Sequence, residues 1–185
     1  NFYMLLSSIE QIDSLRRYRI SSIEPNLINE QIIDILSKSN KCVNHLHVPL
    51  QSGSDKMLGK MKRRYTISYY RKLIKRLNDK INNVCIGVDV IVGFPGESDT
   101  DFNKTYNLLK ELEVSYLHVF SYSKRSNTLA ASYTNVVNPS AIIERRKKLH
   151  RLSEKLFNSF VNKNLKVIHE VLFEKYENGF LIGLS

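Results

Sequence analysis

Residues 88–97, VDVIVGFPGE, constrain this chain more than any other stretch. Val88, Val90 and Val92 alternate with Asp89 and Ile91, the signature of a buried strand. A carboxylate at Asp89, inside so apolar a run, needs a partner or a wet cavity. Gly93 and Gly96 free the backbone where the strand ends, and Pro95 stiffens the turn. Ser98 suits the N-cap of a following helix, and Asp101 three residues on completes a capping box. The local order is strand, glycine turn, helix. In parallel α/β proteins the carboxyl ends of strands are where ligands sit, but a plain βα connection reads the same way.

The 185 residues, 42% hydrophobic and 25% charged, are enough for one domain with a real core. The longest apolar run is far short of a membrane span, and no leader pattern stands at the start. Cys42 and Cys85 are isolated, without CxxC spacing. They read as reduced thiols of a cytoplasmic protein, neither a disulfide frame nor a metal site. The chain starts at Asn1 and stops inside an apolar strand-like run, as a piece of a longer protein would. A formal net charge of +10 favours a polyanionic partner, nucleic acid being the common one. A solvated basic face is the alternative.

In chain order, Phe2, Leu5, Leu6, Ile9 and Ile12 form a helical stripe, and residues 17–22 alternate as a strand. Asn29 caps a second helix facing the core through Ile32, Ile33 and Leu36. Residues 45–51, HLHVPLQ, form the next strand, with His45 and His47 on one face. Ser54 caps a short helix, a basic knot at Lys60, Lys62, Arg63 and Arg64 follows, and Thr66 caps another helix. After the 84–92 strand and its helix comes a strand over 115–122. A polar loop and a long helix over about 140–164 follow, the helix basic on one face through Arg145, Arg146, Lys147, Lys148 and Arg151. Residues 166–173 and 180–184 read as strands joined by a hairpin at Asn178-Gly179. These elements divide the chain into an α/β unit with its trailing helix, 1–164, and a small β module, 165–185. Alternating strands and helices predict part of a parallel (β/α) barrel, whose cut edges would be a liability.

Polar clusters recur at the predicted strand ends: Ser22 with Glu24, Gln51 with Ser52, Asp89 with the glycine turn, and Ser121 with Ser123. In a barrel these converge on one mouth and could hold a polar ligand. A metal-dependent hydrolase is one reading, with His45, His47, Asp89 and His118 as ligands. A non-catalytic RNA-binding piece is another, resting on the basic helix face.

The segments RYRISSIEPN, HVPLQSGSD, the KRRY after it, IGVDVIVGFPGE and LHVFSYS resemble the radical S-adenosylmethionine methylthiotransferases, over essentially residues 1–175. SSIEP and LHVFSYS look most like the branch that acts on N6-threonylcarbamoyladenosine in tRNA. Sister branches act on isopentenyladenosine in tRNA or on a ribosomal protein. The resemblance implies a methylthio group added to carbon-2 of the adenosine next to the anticodon. It implies S-adenosylmethionine, two 4Fe–4S clusters in the full-length protein and tRNA as partner, in a cytoplasmic monomer, and leaves the sulfur donor open. The CxxxCxxC loop of the family is absent from this sequence, so the piece alone should be inert.

Carried onto this chain, the resemblance places Gln51 and Ser52 at the cofactor's ribose. It places Ser22 and Glu24 at the cofactor or the base, and the Gly93, Gly96 and Glu97 turn at the adenine. Asp89 shapes the cavity where the reaction occurs, and no residue here is a metal ligand. Arg64, Arg145, Arg146, Lys147 and Lys148 meet RNA phosphates. One departure stands out: the family reads S-x-R-P-G-T-P-A where this chain has Ser123-Lys124-Arg125-Ser126-Asn127-Thr128-Leu129-Ala130. Asn127 is the residue there that tolerates a left-handed backbone.

Overall fold

The computed structural model describes residues 1–168 and 170–184. Four parallel strands lie side by side in chain order: β1 (Tyr18–Ile20), β2 (Cys42–His47), β3 (Cys85–Val92) and β4 (Tyr116–Ser121). Helix α1 (Phe2–Glu10) precedes them. The connections carry α2 (Glu30–Lys38), then α3 (Asp55–Lys60) with α4 (Ile67–Lys80), then α5 (Asp99–Glu111). Every crossover steps the same way, as in a (β/α) barrel, and the chain forms part of one. Beyond it lie α6 (Pro139–Asn164) and an antiparallel pair, β5 (Leu172–Glu177) and β6 (Phe180–Leu184).

The sheet has two unlike faces. Leu46, Ile86, Val88, Val90 and Leu117 are buried against α-helical residues such as Ile33, Leu73, Leu77 and Leu108. The alternate positions, pointing the other way, carry Arg19, His45, His47, Asp89, Tyr116 and His118. Contacts among these six confirm that they share one face. Helix α6 packs on β4, and Ser153 Oγ accepts from Leu117 N at 2.8 Å while donating to Leu117 O at 3.2 Å. That side chain satisfies backbone groups which a free strand edge would leave open.

The caps at Asn29 and Thr66 form as the sequence indicates, accepting from Ile32 N and Tyr69 N. Ser98 and Asp101 cap α5 reciprocally. Ser54 occupies the N-cap position of α3 without capping it; its Oγ donates instead to Asp101 Oδ1 at 2.8 Å. Lys56 Nζ donates to Asp101 Oδ2 at 2.8 Å, and Gly53 N donates to Thr105 Oγ1 at 2.8 Å. A Cβ on Gly53 would lie 2.4 Å from the Thr105 backbone, so the loop seats directly on α5. Burial pushes the Asp101 carboxyl up, but the hydrogen bonds from Lys56, Ser98 and Ser54 outweigh it and hold it well below the usual carboxylate range.

Three boundaries differ from the sequence reading. β2 begins at Cys42 and its regular ladder stops at His47, because Pro49 lacks a donor and Gln51 turns to φ +67°. Gln51 rejoins β3 only through an isolated bridge to Val90. β5 begins at Leu172, not at 166; residue 169 of that predicted strand lies outside the described residues. The hairpin turn has Asn178 at φ +53° and Gly179 at +85°, the left-handed pair of a type I′ turn. Asn127 stands at φ +65°, so the altered loop after β4 keeps a left-handed corner without glycine.

Replacing Asp101 by Ala leaves Lys56 and two hydroxyls without their acceptor and should cost about 3 kcal/mol in urea unfolding. Ser98→Ala, which removes only the cap, should cost about 1 kcal/mol.

Candidate functional site

The carboxyl ends of the four strands form one edge, stitched by backbone bonds. Ile23 N donates to His47 O (3.0 Å), Gln51 N to Asp89 O (2.8 Å), Ile91 N to Gln51 O (2.9 Å) and Tyr122 N to Val92 O (2.8 Å). Ser22, Gln51 and Ser121 therefore stand at neighbouring strand ends, with Asp89 three residues before the end of β3. Gln51 is the unusual member: it is not glycine, yet its φ is +67°. Both of its backbone polar groups are fixed by β3, so the surrounding ladder holds the strain in place. Two buried polar atoms at the same end, Arg63 Nε and Tyr122 Oη, have no hydrogen-bond partner among the described residues. Arg63 Nη1 donates to Glu24 Oε1 at 2.6 Å, tying the loop after α3 to the end of β1. Tyr65 Oη donates to Pro49 O and Leu50 O, just before Gln51.

Several residues assigned to ligands by the sequence have other work. Ser52 is fully buried, its hydroxyl against Thr105 and the Ser54 amide, so it faces α5 instead of the open edge. Glu97 is 5% exposed; Oε2 accepts from Gly93 N at 2.9 Å and from Arg145 Nη1 at 2.6 Å. Burial pushes its carboxyl up, against the pull of that amide and the guanidinium. The freedom of Gly93 and Gly96, φ +78° and +82°, admits the chain's own Ile142 and Lys60. The Gly96 amide donates to Asn135 O. Arg145, expected on the RNA-facing side of α6, is 6% exposed and also reaches Asp99 Oδ1 at 2.7 Å. A 26-residue helix packed along one side must turn some of its basic positions inward, and Arg145 meets the acidic pair that neutralises it. Arg146, Lys147, Lys148 and Arg64 are exposed, as are Ser22 and Ser121.

Asp89 finds the partner its setting demands: His47 Nε2 donates to Oδ1 at 2.8 Å. His118 lies edge-on to both His47 and Tyr116, with centroids 5.4 and 5.1 Å away. His45 Nε2 meets Tyr116 Oη at 2.7 Å and Arg19 Nη2 at 3.4 Å, so the guanidinium faces an unprotonated nitrogen. Burial, with Arg19 and His47 adding to it, pushes His45 down to about 4. Sequence reasoning singled out the two histidines of β2 as metal ligands and missed Tyr116 and Arg19; period-two alternation on β1 and β4 would have placed both. Among the described residues no group of three or more His, Cys, Asp or Glu is arranged to hold a metal.

A parallel sheet with helices packed on one face and a polar carboxyl edge is the architecture of a (β/α) barrel segment. The Radical SAM superfamily model matches residues 1–109, and the chain belongs to that superfamily. It is 40% identical, along its whole length, to the threonylcarbamoyladenosine tRNA methylthiotransferase MtaB of Bacillus subtilis, of which it covers 42%. It is 32% identical over 98% of its length to a tRNA-2-methylthio-N(6)-dimethylallyladenosine synthase of Hydrogenobaculum, again covering 42%. The chain thus spans about two fifths of the curated relatives it matches. Among solved structures, coproporphyrinogen III oxidase (HemN) of Escherichia coli superposes with a TM-score of 0.65 at 17% identity, over 84% of this chain and 36% of that one. That likeness concerns the fold.

The family implies S-adenosylmethionine and an iron–sulfur cluster. The carboxyl edge fits the former in its chemistry: the left-handed Gln51 and the buried Arg63 Nε and Tyr122 Oη, without a partner among the described residues, put polar groups there. The described residues do not fit the latter. Cys42 and Cys85 lie on adjacent strands, three register positions apart, about 10 Å along the sheet. Burial pushes the Cys42 thiol up to about 11 and raises that of Cys85 as well, the reverse of what a thiolate ligand requires.

Arg145→Ala strands Glu97 in the core and should cost about 3–5 kcal/mol in chemical denaturation, whereas Arg146→Ala should change stability by less than about 0.5 kcal/mol. His45 has a depressed folded pKa, about 4 against an ordinary 6.5. Its contribution to stability is complete above pH 6.5 and is lost as pH falls toward 4. The urea midpoint should drop across that window, and His45→Gln should drop less.

Proposed function

We propose that this chain is the carboxyl-side part of the barrel of a tRNA methylthiotransferase. Its substrate is N6-threonylcarbamoyladenosine next to the anticodon. The observation that supports this most is the 40% identity along the entire chain to an enzyme named for that nucleoside. Ser22, Gln51 and Ser121, at neighbouring strand ends, are in keeping with it. The dimethylallyladenosine enzymes, 32% identical in the example above, give the competing substrate.

In this reading Gln51, Ser22 and Glu24 hold S-adenosylmethionine at the carboxyl edge, with Tyr122 and Arg63 offering their unused polar atoms. When bound, together with a cluster held elsewhere in the protein, it supplies hydrogen abstraction at carbon-2 and the methyl group. The residues of this chain bind, orient and exclude water. Asp89 lies just below Gln51, where the target base would enter. Exposed Arg64, Arg146, Lys147 and Lys148 meet RNA phosphates, in keeping with a net charge of +10. Residues 165–185 open a small β module that continues the RNA surface. The protein acts as a cytoplasmic monomer; among the described residues no helix is long and apolar enough to cross a membrane.

The test uses the full-length gene product with its clusters reconstituted, acting on tRNA that carries either modified adenosine, with nucleosides resolved by mass spectrometry. The expected product is the 2-methylthio derivative of the threonylcarbamoyl nucleoside alone; methylthiolation of the dimethylallyl nucleoside, or of neither, overturns the assignment. Gln51→Ala should weaken S-adenosylmethionine binding about tenfold in equilibrium dialysis.

A further inference from the structure

The inner face of the sheet is polar, although a parallel sheet in a barrel is ordinarily apolar on both sides. Its groups satisfy one another in an ordered way and leave particular atoms open. Asp89 Oδ1 is taken by His47, while Oδ2 has no hydrogen bond among the described residues. Among the described residues His118 makes ring contacts but no hydrogen bond, and Phe120, two residues along the same face, is exposed with its ring 6.4 Å from that of His118. Asp89 is also locked to the carboxyl edge, since its carbonyl accepts from Leu50 N at 3.2 Å and Gln51 N at 2.8 Å. The face thus combines one oriented, half-free carboxylate with two neighbouring aromatic rings tilted 42° to each other.

That combination suits a planar heterocycle bearing an exocyclic N–H. The N–H donates to Asp89 Oδ2, and the ring lies along His118 and Phe120. We propose that this inner face seats the base of the target adenosine, with Asp89 as its specificity-determining acceptor and His47 as the positioning residue that aims the carboxylate. The inference rests on the tRNA reading above and adds the place of the base and the atom that reads it. His47 donates through Nε2, so its proton stays where it fixes Asp89 in one rotamer.

The test is binding to the full-length protein of a fluorescent anticodon stem-loop RNA with either adenosine or purine riboside, which lacks the exocyclic nitrogen, at the target position. The wild type should prefer adenosine by about tenfold, the value of one hydrogen bond to a charged group. Asp89→Asn should abolish the preference. His47→Ala should reduce it, and His47→Gln, whose amide can still donate to the carboxylate, should restore part of it. His118→Ala, at an exposed position with no hydrogen bond, should weaken both RNAs severalfold and leave their ratio unchanged. A preference that survives Asp89→Asn overturns the proposal and leaves the tRNA reading standing. So does an Asp89→Asn protein that loses affinity for S-adenosylmethionine instead, because the ring would then be the cofactor's. Equal alanine and glutamine phenotypes at His47 overturn its positioning role. A wild type that binds neither RNA overturns this proposal, while the tRNA reading is decided separately by the nucleoside products of the full-length protein.

Discussion

The register of β3 between its neighbours is the constraint on which the rest of the molecule depends. His47 pairs with Gly87 on one side, and Asp89 pairs with His118 on the other. A slip of one residue would carry the valines to the polar face and Asp89 into the helix-packed core. Gly87 helps to hold the register, since any side chain there would meet the Tyr116 ring, 2.4 Å from its Cβ position. The pairing fixes two things together: an apolar face that buries the helices, and a polar face with a carboxylate under the strand ends.

Around that sheet, buried charge serves as stitching. Asp101 gathers Ser54, Lys56 and Ser98, so the loop after β2 and the helix after β3 are tied to one carboxylate. Arg145 does the same for α6, bonding to Glu97 and Asp99 beside the glycine turn. Neither network needs to contribute much net stability, because desolvation cancels most of the attraction. Their effect is specificity of placement. The strand ends are loop-rich and glycine-rich, and only fixed neighbours keep Gln51 in a conformation it would not choose alone.

The same bookkeeping divides the basic residues. Arg63, Arg71, Arg76 and Arg145 are each paired with a carboxylate, whereas Arg64, Arg146, Lys147 and Lys148 are exposed. Only an exposed cation can reach the phosphates of a polyanion and release the counterions condensed on them. Arg146, Lys147 and Lys148 lie in the amino-terminal half of α6, the half that packs beside the glycine turn.

The sequence by itself determined the alternation of strand and helix, the caps at Asn29, Thr66 and Ser98, the hairpin at Asn178-Gly179, and the demand of Asp89 for a partner. Each is set within a few residues by periodicity, by a side chain reaching its own backbone, or by the cost of an isolated buried carboxylate. The tertiary structure alone decided which polar residues remain free for a ligand. Ser52, Glu97 and Arg145 carry chemistry in their types, but whether an oxygen or a guanidinium faces solvent or a neighbour 45 or more residues away depends on packing that no local pattern records. His47 and Asp89, 42 positions apart, became one unit for the same reason: strand pairing brings together groups that the chain keeps distant.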